Sequence, residues 1–221
     1  MKVWNAVGVM ALAFGISTHA QAFGLGGLVG GDNKSSGGGN VEQQIDDFLK
    51  TADQAHGLTT KSVEILAGAL LTKDETDKLK ADMEAAQAVA DPKEKEAAVS
   101  KVEADRQAAL AKVDYPKKAK EMEKANDKKK QAQVGASIYN FILGLLKDKE
   151  LVDKGSSLAS SALSNPTLIT KLGKVKDVIG SISGQMDNMT KIAGGLQKLA
   201  SVAKVGNLPT KTTDTPKEIA D

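Results

Sequence analysis

Between positions 166 and 206 the chain repeats itself. Leu168, Leu172, Val175, Ile179, Ile182, Met186, Met189, Ala193, Leu196, Ala200 and Ala203 follow one another in strict four-three alternation, the heptad signature of an apolar seam on a long helix. Val178, Ile192 and Leu199 lie beside the seam and widen it, so the stripe suits a bundle with several neighbours better than a bare two-stranded coiled coil. Pro166 after Asn165 is a good first-turn residue. Gly206, Asn207 and Pro209 supply a stop, because glycine accepts the left-handed terminal conformation and proline cannot continue the hydrogen-bond ladder. At 1.5 Å per residue such a helix would be roughly 60 Å long.

A second pattern runs beside the seam. Gly173, Gly180 and Gly194 share one heptad position, and Gly180 with Gly184 makes a GxxxG step. Each glycine costs a helix about 1 kcal/mol, so close approach of a neighbouring helix is the expected compensation. An intramolecular bundle core, self-association through the seam, or a lipid-facing GxxxG contact would each provide it. Lys171, Lys174, Lys176, Lys191 and Lys198 argue against full membrane burial.

The amino terminus reads as a secretory signal peptide over residues 1–22. Lys2 forms the charged region, Val3 to Ile16 are mostly apolar, and Ala20-Gln21-Ala22 fits the small-residue cleavage rule. The apolar run is shorter than a membrane-spanning helix wants, which favours cleavage over anchoring and predicts a periplasmic or secreted protein. A glycine-rich arm follows over residues 23–40. Its Phe23, Leu25, Leu28 and Val29 are either part of a disordered leader or a small apolar wedge for a partner groove or a bilayer surface.

From residue 41 to 206 the periodicity is helical throughout, and the expected fold is all-α: an elongated helical bundle of long antiparallel helices with a coiled-coil-like C-terminal helix. Asn40 is a candidate N-cap for a helix carrying Val41, Ile45, Phe48, Leu49 and Ala52. That helix ends near His56-Gly57 and restarts at Thr59 or Thr60, or else runs on, bent, to residue 71. Thr72-Lys73-Asp74-Glu75 has capping-box form, Asp91-Pro92 opens a further helix, and Tyr115-Pro116 ends it. The lysine-rich stretch from Lys117 to Lys130 suggests a solvated projecting helix with a local basic excess.

Val134 to Leu146 is apolar on nearly every side, with Ile138, Tyr139, Phe141, Ile142, Leu143, Leu145 and Leu146, and must be buried. The centre of the bundle is the favoured place. A membrane-inserting hairpin is the alternative, with Phe141, Ile142 and Leu145 joining Phe23, Leu25 and Leu28 as membrane contacts. Residues 148–164 are expected to pack antiparallel to the last helix, and residues 207–221 form a disordered tail.

Aromatic residues are 3% of the chain and its charges nearly cancel, 30 basic against 28 acidic. Arg106 is the sole arginine, so bidentate recognition of phosphates and bases has almost no side chain to use, and nucleic acid is not an expected partner. The absence of cysteine removes disulfides, thiolate metal sites and cysteine nucleophiles. After signal-peptide removal His56 is the one histidine, and its expected role is to complement the dipole at a helix end. No nucleotide, metalloprotease, serine-hydrolase or EF-hand motif is present. The reading is therefore a non-enzymatic interaction protein without cofactor or metal. It would act as scaffold, adaptor or chaperone-like binder through Ile179, Ile182, Met186, Met189 and Leu196, toward a protein partner or a second copy. A membrane-active secreted helical protein is the alternative, with an apolar small-molecule carrier as a third.

Overall fold

The structure, a computed structural model, describes residues 38–162 and 168–219. The expected signal peptide, most of the expected glycine-rich arm with Phe23, Leu25 and Leu28, and the expected Asn165-Pro166 turn lie outside them. The described residues form an all-α helical bundle: α1 Gly38–Leu70, α2 Lys73–Gln87, α3 Pro92–Ala111, α4 Tyr115–Ala125, α5 Lys128–Ala162 and α6 Ile169–Ala200.

Three of these helices are long. α1, α5 and α6 have 33, 35 and 32 residues, and each spans about 50 Å at 1.5 Å per residue. Their directions follow from which residues share a core. At one end Ile45, Phe48, Ala52 and Ala55 of α1 meet Leu151 of α5 and Leu172 and Val175 of α6. At the other, Val63, Leu66 and Leu70 meet Val134, Ile138, Phe141 and Leu145, with Met189, Ile192, Leu196 and Leu199. Thus α5 runs antiparallel to both α1 and α6, which run parallel to each other. The most extensive helix interface is α1 with α5.

The shorter helices start where their capping residues say they should. Thr72 and Glu75 form a reciprocal capping box at α2. Asp91 accepts from the backbone of Lys93 and Glu94 ahead of Pro92, and Asp114 accepts from Lys117 ahead of Pro116. α2 and α3 pair around a small core of Leu79, Ala86 and Val102. α4 is less of a projection than its lysines suggested, because Tyr115 and Met122 are buried in the main core. Asn126 takes the left-handed conformation, φ 49°, and turns the chain into α5, where Asp127 accepts from the backbone of Lys130.

Several expectations are corrected. Of the two readings of the first helix, the one that runs on past His56-Gly57 is observed and the break is not; packing along α5 outweighs the propensity cost of one glycine. The left-handed residue that ends α6 is Lys204, φ 52°, not Gly206. Val205 N–H donates to Ala200 and Lys204 N–H to Ser201, a complete Schellman closure two residues early. The four α6 glycines of the expected pattern do not make the close approach: the space beside Gly173, Gly180, Gly184 and Gly194 is open. Gly195 does, against the Tyr115 ring, as do Gly135, Gly144 and Gly155 of α5, which face Ala203, Thr59 and Ile179 with Phe48.

The segment from 207 to 219 is not a loose tail. Pro209 is buried and Leu208 packs on the main core. Asn140 and Lys147, buried polar residues on α5, bond to the backbone of Lys217 and Thr212. Polar groups buried on this face of α5 are costly to leave unpaired, and the C-terminal segment supplies their partners.

Candidate binding cleft

The two apolar cores do not meet. Between them α1 contributes buried Thr59 and Ser62, and α5 contributes buried Lys147 and Asp148. Over this polar waist the α6 seam loses its cover. Leu172 and Val175 are buried before it and Met189, Ala193 and Leu196 after it, while Ile179, Ile182 and Met186 stay half-buried. The first half of α3 stands opposite. The result is a cleft of about 610 Å³, lined by α1 residues Asp53 and His56, α3 residues Val99 and Glu103, Asp148 of α5, and Val178, Ile182, Gln185 and Met189 of α6.

The cleft's apolar wall consists of Ala52, Val99, Val178, Ile182 and Met189. Its polar side is dominated by carboxylates. His56 Nε2 lies 3.8 Å from Glu103 Oε2, joining α1 to α3 across the opening. Asp148 is only 5% exposed, and burial pushes its carboxyl up to about 6 against the opposing pull of the His56 charge. At one margin Gln107 donates to Gln185 Oε1 at 2.7 Å, tying α3 to α6.

The five seam residues proposed for partner contact therefore divide. Ile182 and Met189 line the cleft, Ile179 and Met186 do not line it and pack half-buried against the two cores, and Leu196 is fully buried in the main core, where no partner could touch it. Of the residues considered for membrane contact, Phe141 and Leu145 are buried and Ile142 packs against the same core. Among the described residues no helix is long and apolar enough to cross a membrane. His56, expected at a helix end, sits mid-helix at the cleft. Nothing in its local sequence placed it there, because Glu103 and Asp148 come from helices whose pairing with α1 the periodicity could not specify.

No protein-family model, curated protein or solved structure matches this chain. The described residues form an all-α bundle with an acidic and apolar cleft between its two larger cores.

Proposed function

We propose that this is an exported, non-enzymatic interaction protein, a scaffold, adaptor or chaperone-like binder of the periplasm or the extracellular medium. It takes its partner at the α1, α3 and α6 cleft. The observation that carries the reading is the interrupted seam. A heptad stripe covered at both ends and left half-open at Ile182 is apolar surface that folding alone has not used. The export half of the reading rests on Lys2, the apolar run after it and Ala20-Gln21-Ala22. The burial of Phe141 and Leu145 speaks against membrane insertion, which would first require the bundle to open.

The test is a photo-crosslinking residue at position 182, with the same residue at exposed Asp82 as control, in protein expressed in its source cell. Specific adducts from 182 that disappear when Met186 is also changed to Asp, in a chain that keeps its helical circular dichroism, support the reading. Adducts that are equal from both positions, or a turnover that depends on His56, would overturn it.

A further inference from the structure

The cleft's chemistry defines what it can hold. Its walls carry five carboxylates: Asp53 from α1, Glu96 and Glu103 from α3, Asp148 from α5 and Asp177 from α6. Against them stand only Lys95 and His56. In a chain whose charges nearly cancel, this is a local inversion of sign facing one hollow.

Asp148 is the informative member of the set. It is buried to 95% yet lines the cleft, and no described group donates a hydrogen bond to it; His56 acts on it only through charge. A buried carboxylate without donors is costly to keep, and a bound donor is what would relieve it. Two classes of cation could do so. An inorganic ion requires several converging oxygen ligands, and among the described residues no three His, Asp or Glu side chains are grouped to hold one. An ammonium group needs only acceptors, and brings three N–H donors to meet them. The remaining wall of Val99, Val178, Ile182 and Met189 offers nothing to an ion but covers a hydrocarbon chain well. A hollow of about 610 Å³ is far larger than one ammonium and within the range that encloses a small organic ligand.

Resting on the binding reading above, we propose that the cleft takes an amphiphilic amine, its ammonium group on Asp148 and its hydrocarbon part along Val178, Ile182 and Met189. Asp53, Glu96, Glu103 and Asp177 attract the cation to the mouth, and Asp148 fixes it at the floor. Neither part suffices alone, so a simple polycation or a fatty anion is a poor fit.

Calorimetric titration of the full chain with octylamine, octanoate and spermidine tests this. The expected result is saturable octylamine binding, at least tenfold tighter than spermidine, with octanoate silent. Asp148→Asn should weaken octylamine at least tenfold while the protein remains folded and melts no lower than wild type. Ile182→Ala should weaken it by a smaller factor, and Asp82→Asn on the outer face of α2 should leave it unchanged. No octylamine binding, equal binding of octanoate, or an equal loss in Asp82→Asn and Asp148→Asn would overturn the proposal. If octylamine fails while position 182 still yields specific adducts, the amine inference falls and the partner-binding reading stands.

Discussion

Asn140 on α5 and Lys217 near the C-terminus exchange two hydrogen bonds: Asn140 Nδ2 donates to Lys217 O at 2.8 Å, and Lys217 N–H donates to Asn140 Oδ1 at 2.7 Å. The Lys217 ammonium also lies over the Tyr139 ring, 4.4 Å from its centroid. One side chain thus mimics a strand partner and straps the chain end to the longest helix.

Replacing Asn140 by Ala removes both bonds at a site only 4% exposed. The expected loss is about 1–3 kcal/mol in urea denaturation. Limited proteolysis should now cut after Lys211 or Lys217, while wild type resists at the same protease ratio. Identical cleavage of the two proteins would contradict the strap.

The α6 glycines divide into two kinds, which gives substitutions of opposite sign. A methyl group at Gly184 meets nothing, so Gly184→Ala should stabilise by up to about 1 kcal/mol through helix propensity and a less flexible unfolded chain. A methyl group at Gly195 overlaps the Tyr115 ring, so Gly195→Ala should destabilise by about 1–3 kcal/mol. Thermal melts of the pair decide it; a loss at Gly184 would mean that this face is packed after all.

Asp148 makes a pH signature. Its folded-state pKa is raised from 3.8 to about 6 by burial, so the folded protein holds this proton more tightly than the unfolded chain does. Its contribution is complete below the unfolded value and is lost as pH rises through about 6. Asp148→Asn should therefore match wild type near pH 4 and exceed it above pH 7 by up to about 3 kcal/mol. Denaturation curves of both proteins at the two pH values provide the comparison, and a gain that does not depend on pH would contradict it.

Tyr115 is buried and donates its hydroxyl to the Leu110 carbonyl at 2.9 Å. Desolvation raises its pKa above the ordinary phenol value. Tyr115→Phe should cost about 1 kcal/mol. In an alkaline absorbance titration the Tyr115 phenolate should form only as the protein unfolds.

Much of this architecture is legible in the sequence, because local chemistry dictates it. Thr72 with Glu75 and Asp91 before Pro92 mark helix starts without tertiary help, whereas Tyr115-Pro116, read as an end, instead opens α4 behind the Asp114 cap. The all-round apolar run at 134–146 points to a buried helix in the bundle core ahead of a membrane-inserting hairpin, and the core is where it lies. What the sequence hides is pairing. Ile45 and Phe48 show an apolar face but not that Leu151 and Val175 will cover it. The glycine pattern of α6 pointed to the wrong residues for the same reason, since open and crowded glycines look alike until the neighbour is known. His56 likewise acquires Glu103 and Asp148 only through the three-dimensional arrangement of α1, α3 and α5.

A closed bundle keeps the apolar stretch at 134–146 inside and leaves the cleft beside Ile182 as the accessible surface. Hydrogen exchange of the full chain, with and without anionic lipid vesicles, addresses this directly. Amides from Val134 to Leu146 should be among the slowest in the chain and remain so with vesicles, while those flanking Ile182 exchange sooner. Vesicle-induced loss of protection across 134–146 would contradict the closed-bundle account and favour insertion into lipid.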